Sequence, residues 1–396
     1  MREPARQQAT QPVRIPLMTV TPLFIAGAEP RGAPELRVPS VRGALRFWLR
    51  ALAGGCYGTD DAGLQEVRKL EAKVFGDAGG KDGFGASKVV VTLDGSSVEP
   101  REWPSSQQGR SRGRSDEFGP GVRYLYWSME RQPVRGEQLP ARQYIPVGTR
   151  FTLAVVPRFG VDRQAAREAL YHAVRASWML IHLGGLGARA RRMAGSLAAE
   201  PMSRRTEDGR TRLIRVRHLD LPFQLSPTPA DAAREIGEGL SLLRTRLNAK
   251  AGVNRQRPAF EVLDPNWCRI WVFGGWKGRD AWMTAADVAG LWLRESRRQL
   301  PTDQRLVFGM PLVIPQQHAR IEPPQPYAKA ERRSSPLWLT LTRAVDGSLL
   351  GVATLFLSRL LDVRQPVPDD HQLERHFDWM ARRLAELPNA VEVRYA

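Results

Sequence analysis

The segment 184–192 joins three glycines to three arginines within nine residues, directly after an apolar stretch with helical periodicity. Glycine lets a backbone approach a ligand closely, and the planar guanidinium of arginine matches a phosphate through paired hydrogen bonds. The segment therefore predicts a cradle for a nucleic-acid backbone. The alternative is an ordinary helix C-cap, with Gly184 in the left-handed conformation and the arginines in solvent.

The residues that other binding sites or catalysis would need are few or lie at unsuitable positions. No Walker lysine follows the glycines, and they come after a predicted helix, whereas dinucleotide-binding glycines follow a strand. Cys56 and Cys268 alone cannot build a disulfide framework or a cysteine zinc site. The segment 58–61 matches a polymerase metal motif only weakly. With no Ser-His-Asp, paired-carboxylate or nucleophilic-cysteine arrangement, the sequence predicts no catalytic residue, cofactor or metal.

The histidines offer one conceivable catalytic group. His172 and His182 lie ten residues apart on one predicted helix and point in nearly opposite directions, so they cannot share a metal. His218 follows the basic segment 210–217, where an acid/base role in RNA cleavage is conceivable. A strand residue in contact with solvent is the favoured interpretation of His218.

The charge balance points to a polyanionic partner. The 396 residues carry a formal net charge of +18, with 59 basic and 41 acidic residues and a pI near 10.8. A GC-rich genome would explain arginine in place of lysine, but not the surplus of basic residues. A hydrophobic fraction of 42% and 11 tryptophans favour a packed globular protein. No apolar run approaches the ~18 residues of a membrane span and no signal peptide is visible, so we expect a soluble cytoplasmic protein.

The periodicity of the first half predicts the order β-α-β-β-α, then the glycine loop and a short strand. This order is typical of the ferredoxin-like split βαβ fold. The predicted elements are strands at 13–21, 87–93 and 150–156, a helix capped by Ser40, a helix at 63–74 and a helix that runs from an Asp162 cap to Leu183.

The second half predicts a decorated copy of the same pattern, although residue matching shows no internal repeat. The Trp-rich segment 267–282 receives no assignment. The predicted elements are helices near 230–249, 284–298 and 369–387, and strands near 306–314, 336–343, 349–357 and 391–395.

Arginines also lie outside the glycine loop. On the helix after Ser40, one face carries Val41, Leu45, Trp48 and Leu52, while Arg42, Arg46 and Arg50 form a stripe away from it. The stripe is either an RNA-binding surface or an ordinary solvated face. The same two interpretations stay open for Arg110, Arg112 and Arg114 in the loop 105–115. Aromatics such as Phe47, Trp48 and those of 271–276 could stack on bases, but core positions are favoured.

Several segments resemble one known family. The segments 21–32 (TPLFIAGAEPRG) and 35–50 (ELRVPSVRGALRFWLR) resemble the N-terminal signature of the first subunit of the Cmr complex, the type III-B CRISPR RNA-guided effector. The segment 184–197 is similar to the glycine-rich loop of the wider RAMP superfamily, and 308–312 and 332–337 are similar to later family motifs. The match is colinear, and its 35–50 segment is highly specific.

The resemblance implies an α+β fold of two tandem ferredoxin-like (RRM-like, RAMP) domains with insertions. We expect a polar tail at 1–12, one domain at 13–210 that holds the loop 184–197, and a second domain at 211–396. The implied function is a non-catalytic RNA-binding subunit at the head end of the complex, near the 3′ end of the guide RNA. It would help to hold the guide–target duplex in antiviral RNA silencing. The implied partners are guide RNA, target RNA and other RAMP subunits, with no membrane.

The sequence departs from the family at one position of the loop. Family loops often contain Arg-Arg-Gly-Phe-Gly-Ser, whereas this chain has Met193 and Ala194 between Arg192 and Gly195. The lost glycine puts the path of the loop in question. The predicted RNA contacts are Arg31, Arg37, Arg42, Arg46, Arg50, Gly184, Gly185, Gly187, Arg189, Arg191, Arg192 and Ser196.

Two rival functions remain open at this stage. One is a metal-independent RAMP endoribonuclease that processes guide RNA precursors, for which His172, His182 or His218 would have to supply the general base. The other is an assembly scaffold that contacts protein but not RNA.

Overall fold

The structure is a computed structural model. It describes residues 11–29, 31–77, 85–95, 99–104, 118–134, 137–205, 211–250, 252–301, 305, 308–309, 312–314, 319–321, 334–359 and 370–396. Arg110, Arg112 and Arg114 lie outside these ranges. Within the same ranges, no helix is both long enough and apolar enough to cross a membrane.

The helices and strands of the described ranges fall close to most of the predicted positions. The α-helices are α1 (Val38–Tyr57), α2 (Asp61–Phe75), α3 (Pro120–Tyr126), α4 (Arg163–Leu183), α5 (Pro229–Arg246), α6 (Ala281–Gln299) and α7 (Asp370–Leu384). The strands are β1 (Val13–Thr19), β2 (Val89–Gly95), β3 (Arg101–Glu102), β4 (Gln132–Val134), β5 (Glu137–Leu139), β6 (Gln143–Tyr144), β7 (Arg150–Pro157), β8 (Leu197–Ala199), β9 (Met202–Arg205), β10 (Thr211–Ile214), β11 (Arg217–His218), β12 (Leu221–Pro222), β13 (Cys268–Trp276), β14 (Leu312–Ile314), β15 (Ala319–Ile321), β16 (Leu337–Arg343), β17 (Leu349–Phe356) and β18 (Val391–Glu392).

The first sheet has the strand order β2-β7-β1-β8 and is antiparallel throughout. Its central strand β1 alternates buried and more exposed residues, with Ile15 and Leu17 turned into the core. Leu17 pairs with Phe151 on one side and with Ala199 on the other. The chain order through this sheet is β-α-β-β-α-β, which confirms the predicted ferredoxin-like pattern of the first half.

The second sheet repeats the same order as β16-β17-β13-β18. Its chain order is β13-α6-β16-β17-α7-β18, so the fold is α+β with two tandem ferredoxin-like domains. The opening strand β13 is the Trp-rich segment that the sequence analysis left unassigned. Because its residues 270–273 are buried on both faces of the sheet, the strand lacks the alternation that reveals a half-buried strand.

Helix α3, which lies in an insertion of the first domain, fastens that domain to helix α6 of the second. The carboxylate of Asp287 on α6 accepts hydrogen bonds from the backbone N–H groups of Gly121 (2.6 Å) and Val122 (3.3 Å) at the start of α3. Gly290 lies directly against the backbone of Gly121, where a side chain would collide. Such close backbone approach fixes how the two helices cross.

Two hydrophobic cores join the domains. One contains Ile15 and Leu17 of the first sheet together with Ile270 and Val272 of the second, and the other contains Phe24 and Phe273 among its residues. Shared burial of this kind makes the two sheets one packed body. The boundary between the domains near residue 210 stays a prediction.

The predicted cap of the first helix is wrong. Helix α1 begins at Val38, the N-cap position is Arg37, and no side chain caps the helix. Pro39 occupies the first turn, where its missing N–H removes one of the donors that a cap would otherwise satisfy. By contrast, Asp162 caps α4 as predicted, because its side chain accepts a hydrogen bond from the backbone N–H of Ala165.

Candidate nucleic-acid interface

The glycine-rich loop 184–197 lies between the two domains and binds the edge strand β16. The backbone N–H of Met193 donates to the Leu339 carbonyl (2.8 Å), and the Thr340 hydroxyl donates to the Gly184 carbonyl (2.6 Å). The N–H of Leu341 donates to the Ser196 hydroxyl (3.0 Å). The loop therefore satisfies the free edge of the second sheet, which would otherwise expose unpaired backbone groups.

Part of the predicted cradle is closed by protein. Gly184, Gly185 and Ser196 are buried, and the indole of Trp48 occupies the space that a side chain at Gly184 would need. Gly184 has an extended backbone with φ −124°, so the alternative of a left-handed C-cap at this residue is also wrong. Gly187 is exposed and has φ +78°, a conformation that favours glycine.

Met193 keeps the left-handed backbone that glycine would adopt without strain. Its φ is +65° and its side chain is fully buried. A non-glycine residue in this region costs roughly 1–2 kcal/mol. Hydrogen bonds compensate, since the Met193 carbonyl accepts from the hydroxyls of Thr21 and Ser196, in addition to the N–H bond to Leu339. The loop path is thus fixed by its partners despite the lost glycine.

Arg191 is neutralised inside the protein. Its guanidinium binds both carboxylate oxygens of Glu261 and donates to the Ser335 carbonyl, and it lies 4.5 Å from the ring centroid of Trp338. The two-point geometry with a glutamate that is 6% exposed is the strong form of an arginine–carboxylate pair. Arg191 therefore joins the two domains.

Arg189 and Arg192 differ from Arg191 because neither contacts a carboxylate among the described residues. Arg192, 9% exposed, donates to the carbonyls of Arg191 and Leu337 (both 3.2 Å), while the Nε of Arg189 is buried without a hydrogen-bond partner. Burial, together with neighbouring arginines, lowers the pKa of Arg189 to about 10 and that of Arg192 to about 9. Both guanidiniums remain charged at neutral pH.

The α1 stripe divides in two. Arg46 donates to Glu71 (2.7 Å) and to the carbonyls of Phe75 (2.7 Å) and Gly76 (2.8 Å) at the end of α2. Arg50 donates to the same glutamate (3.1 Å). Arg42 is exposed. Of the three arginines of the stripe, Arg42 alone has no contact with Glu71 or with the end of α2 among the described residues.

The two remaining predicted contacts, Arg31 and Arg37, lie near the start of α1 and are half-buried. Arg31 donates to the Pro140 carbonyl, and Arg37 lies 3.8 Å from the carboxylate of Glu35. No sequence pattern indicated the glutamates that neutralise Arg46 and Arg191. Glu71 lies 25 residues and Glu261 70 residues from its arginine, so only the fold brings them together.

The histidines are in environments that favour the neutral ring. Burial lowers the pKa of His172 and of His182 to about 4 and also lowers the pKa of His218. Nε2 of His182 lies 3.2 Å from the Pro222 carbonyl, which can only accept, so Nδ1 accepts from the Thr342 hydroxyl (3.0 Å). In the part of the chain that the structure describes, no group of three or more His, Cys, Asp and Glu side chains could hold a metal ion.

Comparisons with known sequences agree with this architecture. The family model of the RAMP superfamily matches residues 17–198. The chain is 27% identical over 353 residues to the CRISPR system Cmr subunit Cmr1-1 of Pyrococcus furiosus, covering 88% of this chain and 89% of that protein. It is 32% identical over 190 residues to the subunit Cmr1-2 of the same organism, covering 46% of this chain and 92% of that protein.

Comparisons with solved structures show the same fold. The crystal structure of Cmr1 from Pyrococcus furiosus in its apo form superposes with a TM-score of 0.59 at 21% identity, covering 96% of this chain and 98% of that one. A chain of the type III-B Cmr-beta complex, solved by cryo-EM bound to cognate target RNA, superposes with a TM-score of 0.52 at 11% identity, covering 93% and 98%.

Proposed function

The chain belongs to the Cmr1 family of RAMP proteins, and on this premise we propose that it is a non-catalytic RNA-binding subunit of a type III-B CRISPR effector complex. In this proposal it lies at the head end of the complex, near the 3′ end of the guide RNA. There it contacts guide RNA, target RNA and other RAMP subunits, and helps to hold the guide–target duplex in antiviral RNA silencing. The predicted cytoplasmic location remains part of the proposal.

The observation that supports this proposal is that several arginines are not paired with a carboxylate among the described residues. Arg189 and Arg192 have no carboxylate partner among the described residues, and Arg42 is exposed. The whole chain has 18 more basic than acidic residues. Phosphate contacts from arginine provide most of the affinity of proteins that bind nucleic acid without reading its sequence.

The predicted RNA contacts fall into two groups after the fold is considered. We propose that Arg31, Arg37, Arg42, Gly187, Arg189 and Arg192 contact RNA directly, because each is at least partly exposed or lacks a carboxylate at hydrogen-bonding distance. The second group consists of Arg46, Arg50, Gly184, Gly185, Arg191 and Ser196. These residues position the first group through contacts inside the protein.

The surroundings of the histidines support a non-catalytic role. A general base must reach the proton that it abstracts, directly or through one water. His182 is fully buried and both of its ring nitrogens have protein partners. His172 is mostly buried between α4 and α2, near the charges of Lys73 and Glu168. The endoribonuclease alternative therefore rests on His218 alone.

Salt-dependent RNA binding tests the proposal. Purified full-length protein should bind a single-stranded RNA of mixed sequence, and log K should fall with log salt by roughly 0.7 per phosphate contacted. Several contacts predict a slope of roughly −2 or steeper. A flat salt response, or no binding at all, would contradict the RNA-binding role and favour the scaffold alternative. Incubation with a repeat RNA in the absence of metal should leave the RNA intact, and cleavage would favour the endoribonuclease.

A further inference from the structure

Three arginines from both domains converge beside the glycine-rich loop. Arg189 lies within the loop with φ +63°, Arg192 follows in a 3-10 helix of the same loop, and Arg297 lies in the last turn of α6. We call these three residues the loop cluster. Arg189 packs on the ring of Trp127, and Arg297 binds the hydroxyl of Tyr124, three residues before Trp127 in the chain. The charge of Arg297 also lowers the pKa of both other guanidiniums. The cluster therefore concentrates positive charge where the two domains meet.

The loop cluster has only neutral partners among the described residues. Arg192 donates to two backbone carbonyls, Arg297 donates to the Tyr124 hydroxyl (3.2 Å), and Nε of Arg189 has no partner. Elsewhere, half-buried arginines such as Arg46, Arg191 and Arg215 each bind a glutamate. Partly desolvated like charges repel each other, and a bound anion would remove that cost.

Aromatic rings line the loop cluster. The Trp127 side chain is 44% exposed, and the guanidinium of Arg189 lies 5.7 Å from its ring centroid. On the other side, the guanidinium of Arg297 lies 5.6 Å from the ring centroid of Phe308. A large exposed indole beside arginines that have no carboxylate partner among the described residues is the combination that binds unpaired nucleotides, with the base on the ring and the phosphate on the guanidiniums.

We propose that the loop cluster holds one backbone phosphate of a single-stranded RNA and that Trp127 stacks on the adjoining base. This inference rests on the proposed RNA-binding function and adds Arg297, Tyr124 and Trp127, which no sequence motif indicated. A carboxylate from a protein partner would satisfy the arginines but would leave the exposed indole without a role. A nucleotide would contact both the arginines and the indole.

Binding of a 12-nucleotide oligouridine to the full chain tests the site. Arg297→Ala should weaken binding roughly tenfold and make the salt slope shallower by up to about 0.7, the value for one phosphate contact, because Arg189 and Arg192 still face that phosphate. Trp127→Ala should weaken binding roughly tenfold, as the loss of one stacked base does, without changing the salt slope. Trp127→Phe should restore most of the affinity.

Arg298→Ala is the matched control, because Arg298 is the next residue of the same helix, carries the same charge and is exposed. It should change the affinity less than twofold. If Arg297→Ala and Arg298→Ala behave alike while the wild type binds with a steep salt slope, the inference is wrong and the proposed function stands. If the wild type does not bind the oligouridine, both are wrong.

Thermal unfolding in inorganic phosphate gives an independent readout. At equal ionic strength, phosphate should raise the melting temperature of the wild type above its value in chloride, because the anion binds only the folded cluster. Arg297→Ala should lose this gain. The melting temperature of each protein in chloride is the baseline from which its gain is measured. Equal gains in both proteins would contradict a phosphate site. A gain in the wild type without oligouridine binding would overturn the assignment to RNA.

Discussion

Two arginine groups of this molecule differ in what surrounds them. On α1, Arg46 and Arg50 share the carboxylate of Glu71, and Arg46 also closes the end of α2. The loop cluster of Arg189, Arg192 and Arg297 has carbonyls, a phenol and aromatic rings, but no carboxylate among the described residues. The first group stabilises the protein, whereas the second keeps its charge available for a ligand.

The difference shows that spacing alone does not identify a binding arginine. Arg42, Arg46 and Arg50 recur at helical spacing, yet Arg46 and Arg50 both bind Glu71, whereas Arg42 is exposed and has no carboxylate partner among the described residues. Within the glycine-rich loop, Arg191 binds Glu261 while its neighbour Arg192 binds only carbonyls. The distant residues that each side chain meets decide whether its charge is used inside the protein.

Glycine substitutions should give the largest contrast between the two regions. Gly187→Ala should lower the free energy of unfolding by about 1–3 kcal/mol, because its φ is +78° and the new Cβ would collide with the Phe24 carbonyl. Gly43→Ala on α1 should raise it by up to about 1 kcal/mol, because that helical position is open. Urea unfolding measures both. Effects of equal sign would mean that the loop has no special backbone requirement.

Arginine substitutions on α1 should separate stability from RNA binding. Arg46→Ala should cost about 1.5–3 kcal/mol, since it removes a charged hydrogen bond to Glu71 and two more to carbonyls. Arg42→Ala should change stability by less than about 0.5 kcal/mol but should make the salt slope of RNA binding shallower by about 0.7. Denaturant unfolding and filter binding measure the two effects. If Arg46→Ala proves as stable as Arg42→Ala and loses RNA affinity, the α1 stripe is a binding surface after all.

The smallest effect is expected at His218. His218→Ala should leave RNA cleavage by the assembled complex unchanged in a single-turnover assay. Burial lowers the pKa of its imidazole, which weakens the ring as a proton acceptor. A general base contributes roughly 10²–10⁴ in rate, so even a partial role would be visible. A loss of that size with normal assembly would revive the endoribonuclease.

The sequence predicted the fold well where elements are amphipathic. The strand at Val13–Thr19 and the first half of the helix Arg163–Leu183 have one buried face each, and periodicity revealed both. Periodicity did not reveal the strand Cys268–Trp276, because burial on both faces removes the alternation of apolar and polar residues. The start of α1 was misplaced because Ser40 has the residue type of a cap, although Pro39 makes a cap unnecessary.

The site was predictable only in part. The glycines and arginines of 184–197 are visible as a local motif, and the prediction that this region contacts RNA stays a prediction. Which arginines are neutralised depends on Glu71 and Glu261, and Arg297 reaches the loop cluster from the other domain. No local pattern encodes such contacts, because the packing of two domains produces them.

A structure of the assembled complex with guide and target RNA tests the central claim most directly. The account predicts a backbone phosphate within hydrogen-bonding distance of Arg189, Arg192 or Arg297, a base stacked on Trp127, and Arg46 still bound to Glu71. A carboxylate of a neighbouring subunit in the loop cluster, with RNA far from it, would contradict the account.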